Sequence, residues 1–366
     1  MKTRFSQRDG ASDAPDEEVA MVRIGVIGCG KISQVRHIPE YEANPNAQLV
    51  GLFDMNVERA RALAAEHDCR AYGTLEDLLA DPEIDAVSVC TSNATHAEST
   101  IAALKAGKHV LCEKPMAITI EECEAMVAAA REAGLKLMID QNQRFARAHV
   151  RAKELLEAGK IGDVLTFRTT FGHGGPETWS VDPGTASWFF DPKRAAMGAM
   201  ADLGVHKTDL VQWLIGQRVV SATAKVATLD KRDAEGNLVG VDDNALVIYT
   251  MDGGAMGTMT ASWTYYGPED NSTVLYGTKG IMRIYADPAH SIEVDLKCGE
   301  TEYYDVEAIQ TNDNQTASGV IDVFVDCLER DVEPAVSGES VLAAMRAVFA
   351  SVESSKTGKT IQIAQD

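Results

Sequence analysis

Val22-Arg-Ile-Gly-Val-Ile-Gly28-Cys-Gly30-Lys31-Ile32-Ser33 and, further on, Gln48-Leu-Val-Gly-Leu-Phe-Asp54-Met55 decide the fold. Val22–Ile27 is an apolar run of strand length, the glycines turn the chain into a helix, and Gln48–Phe53 is a second strand that ends on Asp54. A pyrophosphate can lie against the start of such a helix, because free backbone N–H groups and about half a positive charge face it. A Cβ at Gly28 or Gly30 would obstruct that approach, and Lys31 and Ile32 complete the cradle. Ser33 stands where Gly or Ala is usual and is small enough for helix and strand to pack. Asp54, about 20 residues beyond the turn, can accept both adenosine-ribose hydroxyls, with Met55 beside it. A 2′-phosphate would meet like charge there, although Arg59, one helical turn on, can reach it. The segment therefore predicts a bound dinucleotide, NAD in preference to NADP.

Composition bounds the rest. At 366 residues the chain predicts two domains, and 45% hydrophobic with 24% charged residues is ordinary for a globular enzyme. With 34 basic and 55 acidic side chains the formal charge is −21, which disfavours nucleic acid and anionic membrane as partners. Seven cysteines are scattered with no C-x-x-C pair, which predicts reduced thiols, a cytoplasmic protein and no metal centre. No apolar run approaches the roughly 18 residues of a membrane span. Residues 1–20 lack the apolar core of an export signal and are expected to be a disordered tail.

After Asp54 the pattern alternates. Val57–His67, Thr74–Leu79, Thr95–Ala106 and a helix from the Thr119-Ile-Glu-Glu122 capping box to Ala133 separate strands at Cys69–Tyr72, Asp85–Thr91, Lys108–Cys112 and Leu135–Asp140. In the capping box the Glu122 side chain is expected to return to the Thr119 amide. Such alternation predicts an α/β unit over 21–142, a doubly wound parallel sheet covered on both faces. From Gly162 the texture becomes strand after strand: Val164–Phe171, Val219–Leu229, Asn244–Thr250, Ala255–Trp263, Ser272–Tyr276, Ile281–Ile284 and Ile292–Leu296. Helices near Asp313–Glu329 and Glu339–Lys356 close the chain. Residues 143–366 are thus expected to form an α+β domain with a large, mostly antiparallel open sheet. One face of that sheet needs covering, which predicts a homo-oligomer, dimer or tetramer.

Three clusters can do chemistry. Glu113-Lys114-Pro115 follows the fifth strand, at the sheet edge that faces the ligand crevice, and the proline can hold a tight, even cis, turn. The alternative is a surface lysine at a loop start. Asp202-Leu-Gly-Val-His206-Lys-Thr-Asp209 spaces an acid and an imidazole one helical turn apart, so that Asp202 could orient His206 as a proton acceptor. The alternative is an N-cap and an ordinary histidine; Asp209 is expected to brace the helix. Thr91-Ser92-Asn93-Ala-Thr-His96 follows the fourth strand and can line the middle of the dinucleotide or simply cap the next helix.

In this order, Gly-Val-Ile-Gly-Cys-Gly-Lys-Ile-Ser, His109-Val-Leu-Cys-Glu-Lys-Pro-Met116, Arg144-Phe145, Trp188-Phe-Phe-Asp191 and Asp202-Leu-Gly-Val-His206-Lys-Thr-Asp209 resemble the Gfo/Idh/MocA family, from Val22 to near the C-terminus. The resemblance implies a Rossmann domain followed by an open-sheet α+β domain used in oligomer contacts. It implies that Lys114 sits beside the nicotinamide and the reacting hydroxyl, that Asp202 and His206 bind substrate and accept its proton, and that Glu113, Asn93 and His96 surround the cofactor ribose and nicotinamide. Members often carry Gly-Gly where this chain has Ala195-Ala-Met-Gly-Ala199, which leaves the shape of that loop, and the substrate, open. The expected reaction interconverts a secondary alcohol and a ketone on a sugar or cyclic polyol. His173, Trp179 and Trp188, with Glu177, offer a polar and aromatic mixture for such a ring, or pack an inter-domain seam; Arg144 and Asn142 reach substrate or join the domains. Two other readings are a non-catalytic NAD-bound regulator of the same fold and an NAD-dependent glycosidase acting through a transient keto-sugar.

Overall fold

Aliphatic runs with almost no polar interruption become the interior of the first sheet. In the computed structural model, which describes residues 21–306 and 318–364, the strands β1 (Val22–Ile27), β2 (Ala47–Phe53), β3 (Arg70–Ala71), β4 (Ala86–Val89), β5 (His109–Cys112) and β6 (Leu137–Ile139) are ordered β3-β2-β1-β4-β5-β6. All five pairings are parallel. Strand order reverses between β1 and β4, the switch point where ligands bind in doubly wound sheets. The tail expected over 1–20 and the first residues of the helix expected from Asp313 lie outside the described residues.

The crossover helices begin where side chains satisfy their first N–H groups. Asn56, Thr74 and Thr119 accept from Arg59, Asp77 and Glu122 and open Val57–Glu66, Leu75–Ala80 and Ile120–Ala133. Gly134, at φ 66°, ends the last of these. The capping box differs in one detail: Glu122 Oε2 accepts from the Ile118 amide at 3.2 Å, one residue beyond the Thr119 amide expected, because its side chain is long enough to pass the cap.

The second sheet has nine strands: β7 (Val164–Gly172), β8 (Val219–Ala227), β9 (Asn244–Met251), β10 (Met256–Ser262), β11 (Thr273–Gly277), β12 (Gly280–Asp287), β13 (His290–Leu296), β14 (Thr301–Tyr304) and β15 (Ile361–Gln362). They are ordered β14-β13-β12-β11-β7-β10-β9-β8-β15, and only β7 and β10 pair in parallel. One face packs under helices Arg147–Glu157, Val205–Ile215 and Gly338–Thr357. On the other, register puts the exposed side chains Leu246 and Ile248 of β9, Met256 of β10 and Tyr276 of β11 on one face. Helix Gly338–Thr357 also packs on Ile120–Ala133, and helix Val320–Glu329 on β1 and helix Ile38–Ala43, so the C-terminal segment ties the two sheets together. No helix of the described residues is long and apolar enough to cross a membrane.

Candidate active site

A cavity of about 1170 Å³ opens at the carboxyl ends of the parallel strands and extends to β7 and the π-helical turn Met200–Gly204. That exceeds the roughly 300–1,000 Å³ of a single small-molecule pocket and leaves room for a dinucleotide beside a second molecule. Gly28, Gly30, Lys31, Ile32, Asp54, Met55, Thr91, Ser92, Asn93, His96, Glu113, Lys114, His173, Trp179, Trp188, Asp202 and His206 all line it.

The two glycines serve different needs. Gly28 has φ +98°, and a Cβ there would stand 2.5 Å from the Cys90 carbonyl oxygen. It is therefore required by the neighbouring strand, not by the dinucleotide as expected. A Cβ on Gly30 would meet nothing closer than 3.9 Å and would only fill the cavity, so this position suits the close approach of a phosphate. Ser33 is buried in the π-helical turn Ser33–His37 and donates to the Gly30 carbonyl at 2.8 Å. Asp54 accepts from the amides of Cys29 and Asn56, both at 2.7 Å, one on each oxygen. Each oxygen keeps a lone pair for a ribose hydroxyl. These residues fit a dinucleotide. Burial, with the Asp54 charge beside it, pushes the Cys29 thiol up to about 12, which removes it as a nucleophile.

The Lys114–Pro115 peptide is cis. His96 is buried beneath it, with one ring nitrogen 2.8 Å from the Pro115 carbonyl and the other 3.2 Å from that of Thr91; burial lowers its pKa, so the neutral ring donates to one of the two, and it shapes the loops around the cavity. Asn93 likewise donates to the Ala195 carbonyl at 2.9 Å. Glu113 accepts from the Lys114 amide at 3.1 Å and lies 3.1 Å from His37 Nε2. Burial opposes its charge, yet the hydrogen bond and charge of His37 hold the carboxyl well below the usual range. Burial and the Glu113 charge push nearby Asp140 up to about 7. Arg36 approaches Asp140 at 3.8 Å, so this buried floor balances its own charges.

Asp202 does not hold His206. The Lys114 ammonium donates to Asp202 Oδ1 at 2.8 Å and to its carbonyl at 3.0 Å, while Trp263 Nε1 donates to Oδ2 at 3.0 Å. Lys114 and Trp263 between them occupy both carboxylate oxygens, and an ammonium is a stronger partner for a carboxylate than a neutral imidazole. Burial works against the Asp202 charge, but Lys114 keeps its carboxyl below the ordinary range. His206 Nδ1 is buried without a protein partner. Burial first, and the Lys114 charge second, hold its imidazole well below the ordinary histidine value, hence neutral at pH 7.

The loop before Asp202 is fixed from β9's entry. Asp242 accepts from the amides of Gly198 and Met200, both at 2.7 Å, and its carbonyl accepts from Ala199 at 2.8 Å. A Cβ on Gly198 would stand 1.8 Å from that carbonyl, so this glycine is obligatory, whereas Ala196 takes φ +62° despite its side chain. His173 Nδ1 accepts from the Gly175 amide at 2.9 Å, which leaves its Nε2 to carry the proton. The Trp179 Nε1–H is buried and unpartnered. Trp188 stacks on Phe189 with centroids 4.1 Å apart. Arg59, which could have met a 2′-phosphate, contacts both carboxylate oxygens of Asp182 at 3.2 Å.

Arg144 is the exception. It lies on a separate small cavity and pairs with Asp209 through two hydrogen bonds, Nε–Oδ2 at 2.7 Å and NH2–Oδ1 at 2.5 Å, with side chains 11% and 2% exposed. A buried bidentate pair has no free face for substrate, so Arg144 joins elements and Asp209 braces, as expected, its helix. Arg144→Ala should lower the unfolding free energy by about 3–5 kcal/mol, the cost of stranding a buried carboxylate, and leave substrate KM unchanged; urea denaturation and steady-state kinetics check both. Sequence reasoning missed Trp263, Asp242, His37 and Lys231, the last pairing with Glu177 to hold the segment after β7. None sits at a motif spacing; only the adjacent buried acids Asp242-Asp243 carried a signal.

Comparison with known proteins agrees with this geometry. Residues 22–141 match the oxidoreductase family model with an NAD-binding Rossmann fold, and residues 149–283 match the GFO/IDH/MocA C-terminal domain. The chain is 28% identical to myo-inositol 2-dehydrogenase of Thermotoga maritima over 93% of this chain and 98% of that one. It is 28% identical to 1,5-anhydro-D-fructose reductase of Ensifer adhaerens over 94% and 99%. Among solved structures, the WlbA dehydrogenase of Bordetella pertussis in complex with NADH and UDP-GlcNAcA superposes with a TM-score of 0.80 at 27% identity, covering 94% and 100%. The chain belongs to the Gfo/Idh/MocA family and is an NAD(P)-dependent oxidoreductase.

Proposed function

We propose that the protein interconverts a secondary alcohol and a ketone on a sugar or cyclic polyol, with NAD preferred over NADP. The observation that carries this reading is the meeting of Lys114, from the end of β5, and His206, from the helix after the π-helical turn, in the cavity that the glycine turn enters. Bound NAD supplies the hydride acceptor. The neutral imidazole of His206 takes the hydroxyl proton, and Lys114, steadied by Asp202, donates a hydrogen bond to the oxygen as its charge grows. Lys114, Asp202 and His206 are thus the catalytic set; Gly28, Gly30, Lys31, Ile32, Asp54, Met55, Thr91, Ser92, Asn93, His96 and Glu113 surround the cofactor. His173, Trp179 and Trp188 meet substrate. Asp54 repels a 2′-phosphate, and Arg59 is already engaged by Asp182. Residues 21–142 form the cofactor domain and 143–366 the substrate and assembly domain. The exposed row Leu246, Ile248, Met256 and Tyr276 supports pairing with a second copy, and the unpaired thiols suit the reducing cytoplasm.

Absorbance at 340 nm with inositol isomers, hexoses and glucosides, each with NAD and NADP, tests the reading. Reduction of NAD by at least one class is expected. Silence across the set overturns it, and sugar release from glucosides without net NADH would instead indicate a glycosidase. The pH profile gives an independent check. His206 must be neutral to accept a proton, and its pKa lies below the ordinary 6.5. Activity is lost only as pH falls through that lowered value. The kcat/KM for oxidation should therefore stay flat from neutrality to below pH 6.5; an acid limb centred above it contradicts the assignment.

A further inference from the structure

We propose that the substrate carries an anionic group, a carboxylate or a phosphate, held by Lys193 and Arg194; the inference rests on the sugar-oxidoreductase reading above. The chain as a whole has 34 basic and 55 acidic side chains. The cavity inverts that balance, with seven Lys or Arg side chains against five Asp or Glu. The acids are engaged elsewhere: Asp202 by Lys114 and Trp263, Glu113 by His37, Asp182 by Arg59, Asp322 by Asn44, and Asp54 faces the cofactor ribose.

Lys193 and Arg194 have the opposite status. Both are exposed at the cavity and neither has a carboxylate partner among the described residues. The adjacent Asp191 accepts from the Lys193 backbone amide at 2.9 Å, which caps the short helix Pro192–Ala195. The Arg194 guanidinium lies 5.9 Å over the Trp188 ring, so its planar fork is arranged before any ligand arrives. Asn93 ties the same helix to the loop after β4 through the Ala195 carbonyl, and the chain then runs directly through the Asp242-anchored loop to Asp202 beside Lys114. Two cations on a segment fixed at both ends, one preorganised on an aromatic pair, make a built anion site. In a protein of charge −21 they also mark where an anion can approach against the overall field.

The enzyme–NADH complex titrated calorimetrically with D-glucuronate, D-glucose 6-phosphate and D-glucose tests this without requiring turnover. At least one acidic sugar should bind about tenfold or more tightly than glucose, as expected for one or two charge-assisted hydrogen bonds, and that ratio should shrink with added salt. Which of the two binds better separates carboxylate from phosphate. In the double variant Lys193→Ala, Arg194→Ala the ratio should fall to near one while the NADH dissociation constant stays within about twofold of wild type. Equal binding of acidic and neutral sugars by the wild type overturns the proposal, as does a ratio that survives the double variant. Loss of NADH affinity with the sugar ratio intact would assign the two cations to the cofactor pyrophosphate and overturn it too. If no sugar binds at all, the sugar-oxidoreductase reading fails as well.

Discussion

Lys114→Met lowers kcat by about 10²–10³, the usual loss when one preorganised donor to a developing oxyanion is removed, while NADH still binds. Methionine keeps the length and apolar stem of lysine and deletes only the ammonium. That ammonium bonds the side chain and the carbonyl of Asp202 at 2.8 and 3.0 Å. Its removal therefore does two separable things. The reacting oxygen loses its donor, and Asp202, buried with only Trp263 left as partner, becomes an uncompensated carboxylate. The second effect appears as reduced thermal stability, and adding Asp202→Asn to Lys114→Met should restore most of it, since an amide costs far less to bury than a charge. The rate should not recover with it. Turnover at 340 nm, NADH fluorescence and thermal unfolding on the single and double variants separate the two. A kcat within about tenfold of wild type, far short of that loss, would remove Lys114 from the chemistry.

What the sequence discloses follows the range of the interaction. The parallel sheet is legible because each piece is local: the uniform apolar runs of β1, β4 and β5, the capping threonines at 74 and 119, and the glycine at 134 each act within a few residues. Strands β7 to β13 show through their alternation or β-branched content. Strand β14, Thr-Glu-Tyr-Tyr, lies at a sheet edge with alternate polar residues, and β15 has two residues, so neither offers a pattern to read. In the site, Lys114 and His206 are legible from motif position. The Asp202 partner is not, because the one-turn rule considers only neighbours along the helix, and a carboxylate takes an ammonium in preference to a neutral imidazole wherever the fold brings one. Its true partners come from 88 and 61 positions away. The Arg144–Asp209 pair, separated by 65 positions, is hidden for the same reason.

His206→Ala should cost about 10²–10⁴ in kcat, the range for loss of a positioned general base, and its pattern should differ from that of Lys114→Met. His206 Nδ1 has no protein partner and the ring is neutral, so alanine strands no buried charge and only a modest loss of packing stability follows. The remaining rate should rise with pH, since hydroxide or ionised substrate must replace the missing acceptor, and the acid limb of the wild-type profile should disappear. This contrast bears on Asp202. If it held the imidazole, Asp202→Asn would resemble His206→Ala. Because its oxygens bond Lys114 and Trp263, Asp202→Asn should instead weaken Lys114's placement. It also removes a negative charge that raises the His206 pKa. The acid limb, still present, then moves to lower pH while kcat falls. A variant at 202 whose pH profile matched that of His206→Ala would restore the direct acid–imidazole pair and displace the lysine-centred arrangement.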